Sequence, residues 1–114
     1  MKITRLYAGD DGESHFEEIE VETEKTQPVE GMIFRQVPPG HVWDWHRPPQ
    51  RQYVITLSGQ AEIEIGDGTK KTLRPGTIML VDDTTGRGHI TRVIGTEPRL
   101  YAAIPVKSVR DRRA

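Results

Sequence analysis

Residues 40–59 read GHVWDWHRPPQRQYVITLSG. Two β-rich runs stand here, His41 to Arg47 and Gln52 to Leu57. Pro48-Pro49 part them, because proline lacks the N–H that a strand ladder needs. The second run reaches Ser58-Gly59-Gln60, a turn signal, and Ala61 to Ile65 follow, so the pattern predicts a hairpin. In that return run Ala61, Ile63 and Ile65 share one face and Glu62 and Glu64 the other, the alternation of a strand buried on one side. Further along, Gly66-Asp67-Gly68 turns the chain again, and residues 69–74, 77–81, 89–94 and 99–105 supply four more short strands. Upstream, residues 2–7, 15–22 and Met32 to Val37 read as strands, the last ended by Pro38-Pro39-Gly40. Turns recur about every 8–12 residues, the rhythm of a β-sandwich or barrel, and no helical stripe runs through three turns. Gln52 to Leu57 and Arg99 to Val106 are apolar on both faces. Such strands need cover on both sides, which predicts a closed barrel with one wall against a terminal strand or a second subunit, a homodimer.

The composition agrees with this. The chain has 114 residues, 11 glycines and 8 prolines, a length for one domain and a surplus of turn formers. Residues 1–106 read as that domain and 107–114 as a basic tail. Cysteine is absent, which excludes disulfides, thiolate metal sites and cysteine nucleophiles. Net charge is −1, which argues against nucleic acid or an anionic membrane as partner. No apolar run approaches the roughly 18 residues of a membrane span and no signal peptide is evident, so a cytoplasmic protein is expected. Residues 10–30 hold nine carboxylates and one lysine, read as a solvated rim.

Four histidines are candidates for chemistry: His15, His41, His46 and His89. His46 ends a tryptophan-rich run and His89 follows Gly86-Arg87-Gly88. Around them the chain resembles the cupin superfamily, small barrels of jelly-roll type. The first cupin motif reads G-x5-H-x-H-x3,4-E-x6-G. Gly40, His46, Pro48, Gln52 and Gly59 occupy its fixed positions at the right spacing. The second reads G-x5-P-x-G-x2-H-x3-N. Gly76 and Asp82 match its opening and Gly86 to His89 its G-x2-H step, with a middle two residues longer and Val93 at the asparagine position. The resemblance spans residues 40–93 and implies an all-β fold, a single cupin-type jelly-roll β-barrel.

It also implies a place for a metal, since metal-binding cupins set histidines and a glutamate into the barrel. Here His46 and His89 stand at two histidine positions, Pro48 at the third and Gln52 at the glutamate. Proline cannot ligate, and a glutamine amide lacks the carboxylate charge. A weak divalent site on His46, Gln52 and His89 could take Ni, Zn, Fe or Cu, with Asp44 or His41 as a further ligand. The alternative is a metal-free pocket for a small molecule, either a binding module or an acid–base enzyme with His46 and His89 as general acid or base. Strand parity sets Val54 and Thr56 beside Gln52, and Thr91 and Val93 beside His89, an apolar chamber with a few polar groups. A third reading is a structural homodimer with a packed interior. Trp43 and Trp45 are expected on the face opposite Asp44 and His46. Arg47 and Arg51 flank the mouth, and the amides of 82–89 with Arg87 could cradle an anion. Asp82 and Asp83 should point apart, His15 should pair with nearby charge, and Ser14 and Ser58 lie near no recognisable base.

Overall fold

The computed structural model describes residues 1–107. The proposed basic tail, save Lys107, lies outside the described residues. Among those described there are ten strands and no helix: β1 (Lys2–Ala8), β2 (Ser14–Glu20), β3 (Ile33–Val37), β4 (Val42–His46), β5 (Gln52–Ser58), β6 (Gln60–Glu64), β7 (Lys70–Leu73), β8 (Ile78–Asp82), β9 (His89–Ile94) and β10 (Arg99–Pro105). They form two sheets, ordered β2-β1-β8-β5-β10-β3 and β4-β9-β6-β7. The runs read from period-two alternation all appear as strands, with ends shifted by a residue or two.

The predicted hairpin between β5 and β6 does not form. β5 pairs with β8 and β10 in the larger sheet, while β6 pairs with β7 and β9 in the smaller. Ser58-Gly59-Gln60 is a corner at which the chain leaves one sheet for the other. Gly59 sits at φ 70, and a Cβ there would run into the backbone of Pro98 and Arg99. A glycine can make this crossing where other residues would collide. The hairpin of this region is β6–β7, closed by Gly66-Asp67-Gly68 with Glu64 opposite Lys70.

The two sheets face each other without closing by hydrogen bonds, so the barrel is an open sandwich of the jelly-roll kind. Between them lies the core: Leu6, Val54, Ala61, Ile63, Ile65, Leu73, Met79 and Val81, with Phe16 and Tyr101 packed against it. Ala61, Ile63 and Ile65 point inward as the alternation requires. Glu62 and Glu64 face outward and share Arg92 of the neighbouring strand.

The doubly apolar strands β5 and β10 occupy the middle of the larger sheet. The terminal strands do not cover their outer face, because β1 and β2 extend the sheet sideways, β1 lying parallel beside β8. Phe34, Ala102 and Ile55 stand in one row across β3, β10 and β5 on that outer face. Phe34 is 64 % exposed and Leu57 44 %.

Candidate functional site

A cavity of about 330 Å³ lies between the sheets. The inner rows of the larger sheet supply Ile33 and Arg35 from β3, Gln52 and Val54 from β5, and Arg99, Tyr101 and Pro105 from β10. The smaller sheet supplies Trp43 and His46 from β4, Ile63 from β6, and His89 and Thr91 from β9. Leu73, Met79 and Val81 close its apolar end, and Pro48 and Pro49 its rim.

Of the residues read from the sequence as a pocket, His46, Gln52, Val54, His89 and Thr91 line this cavity. Thr56 does not. It points inward but lies behind the wall, buried, where its Oγ1 accepts a hydrogen bond from Arg99 at 3.0 Å. Pro48, at a histidine position of the cupin motif, is buried and forms wall.

A β-bulge overturns the expected parity of β4. Val42 lies opposite Arg92 and Trp43 opposite Thr91, but His46 lies opposite His89, which leaves one extra residue on β4. A bulge turns the residues beyond it to the other face. Trp43 and His46 therefore line the cavity together. Asp44 is exposed and its Oδ1 accepts from the Trp45 amide, so it is not aimed at His46 as a further ligand. His41 is exposed as well, its ring edge-on to Trp43.

The bulge brings the His46 and His89 rings to 4.6 Å between centroids. Gly88 permits this approach. It has φ 79, and a Cβ on it would overlap the His46 carbonyl. His46 donates from Nδ1 to the Asp44 carbonyl at 2.8 Å, so a neutral ring leaves Nε2 as an acceptor. Burial holds the His46 imidazole below its ordinary value, with the neighbouring His89 acting in the same direction.

His89 is oriented from behind. Its Nδ1 lies 2.6 Å from Asp83 Oδ2, and the same oxygen accepts the Ser14 hydroxyl at 2.7 Å. All three residues are buried. The tautomer that satisfies both partners has Nδ1–H donating to Asp83, with Nε2 as the remaining ring nitrogen. Ser14, expected far from any base, is in fact locked to this carboxylate. Asp82 points the other way, to Arg5 and Arg51, as adjacency on a strand requires. His15 pairs with Asp11.

Arg87, expected at the mouth, is engaged by groups of the protein itself. Its guanidinium stacks on Trp45 at 3.7 Å and reaches Glu13, while its amide donates to the Gly12 carbonyl. The loop 83–88 is thereby clipped to the turn between β1 and β2.

Arg99 escaped the sequence reading. It is 3 % exposed, lies over the Tyr101 ring at 4.1 Å, and its Nε has no hydrogen-bond partner among the described residues. Burial pulls its guanidinium down to about 10, and Tyr101 opposes that shift. Its signal was a charge at an inward-facing position of a strand otherwise apolar, RLYAAIP. Asp83 had no comparable signal, since its partner Ser14 is 69 residues away.

Among the described residues no three His, Cys, Asp or Glu side chains gather as a metal would need. His46, Gln52 and His89 bring no carboxylate to the wall, and Arg35 and Arg99 line it with them. A divalent ion there would meet those cations, and no carboxylate among the described residues lines the cavity itself.

The shifted imidazole yields a pH prediction. The unfolded chain takes up the His46 proton near pH 6.5 and the folded chain only at lower pH. Stability is therefore full above the unfolded value and is lost as pH falls through the folded one. Thermal melts from about pH 7 to about pH 5 should show a shallower decline for His46→Asn than for the wild type. Parallel curves would remove His46 as the source.

No protein-family model matches the chain. Among curated proteins it is similar to cadherin-18 of Homo sapiens, 30 % identical over 114 aligned residues that take in 90 % of this chain. The Bos taurus cadherin-18 is 29 % identical over the same share. The chain spans 14 % of the length of these relatives. The solved structures it resembles are of another kind. An RmlC-like cupin family protein with a double-stranded β-helix from Methanocaldococcus jannaschii superposes at TM-score 0.57, 14 % identical, covering 83 % of this chain and 94 % of that one. A cupin 2 conserved barrel protein from Salinispora arenicola gives 0.54 at 20 % identity, covering 82 % and 76 %. A structure from Silicibacter pomeroyi, titled a sugar phosphate isomerase from a cupin superfamily, gives 0.54 at 16 %, covering 95 % and 71 %. No helix among the described residues is long and apolar enough to cross a membrane. The backbone, with its two facing sheets, is that of the cupin fold.

Proposed function

We propose that this cupin-fold chain binds a small organic molecule in the cavity between its sheets. The observation that carries the reading is the make-up of that cavity: apolar walls from Val54, Ile63, Met79 and Val81, and a few convergent polar groups from His46, Gln52, His89 and Thr91. Its volume lies at the lower end of small-molecule sites, which run from roughly 300 to 1,000 Å³. A mixture of small aromatic and aliphatic fragments, followed by ligand-observed NMR, tests it. Saturation transfer should appear with the wild type and vanish in Val54→Phe, whose added ring fills the apolar end. Equal transfer in both would place binding elsewhere and overturn the reading.

One observation favours a second reading, proton transfer on the bound molecule. The Asp83 carboxylate behind His89 Nδ1 resembles the way a carboxylate orients a general base, and the His46 imidazole lies beside it. Turnover lost in both His89→Gln and His46→Gln would support it.

We also propose that a second copy of the chain covers the apolar outer face of β3, β10 and β5. Light scattering should then give twice the 12.9 kDa chain mass. A monomer that stays monomeric at high concentration would remove this proposal.

A further inference from the structure

A buried guanidinium is costly unless its charge is matched and its N–H groups are bonded. Arg99 has one side-chain hydrogen bond, to the neutral hydroxyl of Thr56, and its Nε has no partner among the described residues. It nonetheless lines the cavity, and so does Arg35. No carboxylate lies among the described residues of that wall. Elsewhere arginines of this chain meet acids: Arg5 pairs with Glu17 and Asp82, Arg92 with Glu62 and Glu64, Arg87 with Glu13. Arg99 faces a cavity where those have a carboxylate.

Resting on the reading of the cavity as a small-molecule site, we infer that its ligand is a small organic monocarboxylate, with the carboxylate at Arg99 and the apolar body against Val54, Ile63 and Met79. Charge decides for one carboxylate over a phosphate ester. Among the described residues of the wall Arg99 is the buried cation, whereas Arg35 is exposed. One negative charge neutralises the buried guanidinium, whereas a dianion would leave its second charge in an apolar chamber beside imidazoles. The planar fork of arginine matches a carboxylate, and such charge-assisted hydrogen bonds are about twice as strong as neutral ones. The other end of the cavity has no polar group from Ile63, Leu73, Met79 or Val81, so the remainder of the ligand must be apolar.

Calorimetric titration of the whole chain at neutral pH with benzoate, hexanoate, benzamide and phenyl phosphate tests this. Benzoate or hexanoate should bind about tenfold or more tighter than benzamide. Arg99→Met should remove that preference and leave the affinity for benzamide within about twofold. Should the methionine variant fail to fold, the wild-type preference stands by itself, with Arg99→Lys, which keeps the charge, expected to retain part of it. The Arg99 Nε–H resonance should also shift with benzoate and stay in place with benzamide. Equal binding of benzoate and benzamide would overturn the carboxylate inference while leaving the small-molecule reading intact. Tighter binding of phenyl phosphate would overturn it in favour of a dianion. No binding of any of the four would overturn both.

Discussion

Asp83→Ala is expected to cost about 3–5 kcal/mol of stability, because two buried donors lose the one acceptor that satisfies both. Two groups lose their acceptor together, the Ser14 hydroxyl and His89 Nδ1, both buried. An unsatisfied buried donor alone costs about 1–3 kcal/mol. For a domain of this size the melting temperature should fall by roughly 12–30 °C. Asp83→Asn keeps a carbonyl oxygen near both donors, and its loss should be smaller. Asp82→Ala, one residue away, is the control. Asp82 meets Arg5 and Arg51 near the surface, where ion pairs contribute about 1 kcal/mol or less. Chemical denaturation of the three variants gives the ordering directly. An Asp83→Ala protein as stable as Asp82→Ala would show that the buried triad holds nothing in place.

The second large effect is expected at Gly88. Its φ of 79 lies in the left-handed region, which costs a non-glycine residue about 1–2 kcal/mol. A methyl group there would also overlap the carbonyl of His46, so β4 must move or the loop must open. Gly88→Ala should lose about 3 kcal/mol or more, the clash adding to the backbone strain. Gly68 separates the two contributions. It has φ 88 with open space around it, so Gly68→Ala should cost about 1–2 kcal/mol from strain alone. The histidine spectra supply a second readout, because displacing the His46 carbonyl displaces the ring beside His89. Ring-proton shifts of both histidines should move in Gly88→Ala and stay put in Gly68→Ala.

The strands were legible because period-two alternation survives in short runs such as AEIEI at 61–65, where Glu62 and Glu64 keep outward contact with Arg92. The spacing of Gly40, His46, Gln52 and Gly59 also pointed to the fold, since a corner such as Gly59 tolerates no side chain. What the sequence could not disclose depends on the third dimension. The β5–β6 step looks like a hairpin locally, and only the sheet partners of each strand reveal a crossing. The bulge in β4 leaves no mark in HVWDWH, yet it decides that Trp43 rather than Asp44 joins His46 in the wall. Asp83 reaches Ser14 and His89 through loops whose course no periodicity records. Arg99 was visible as a charge out of place in an apolar strand, but its meaning rests on the cavity lining, which holds no acid among the described residues.

The most direct test of a ligand-binding cavity between the sheets is a methyl-resolved two-dimensional NMR titration with benzoate and benzamide. Shifts should cluster at the methyl-bearing lining of the cavity, Val54, Ile63, Leu73, Met79 and Val81 with Ile33 and Thr91. Shifts confined to the exposed Met32, Val42 and Leu57, or no shifts at all, would contradict it.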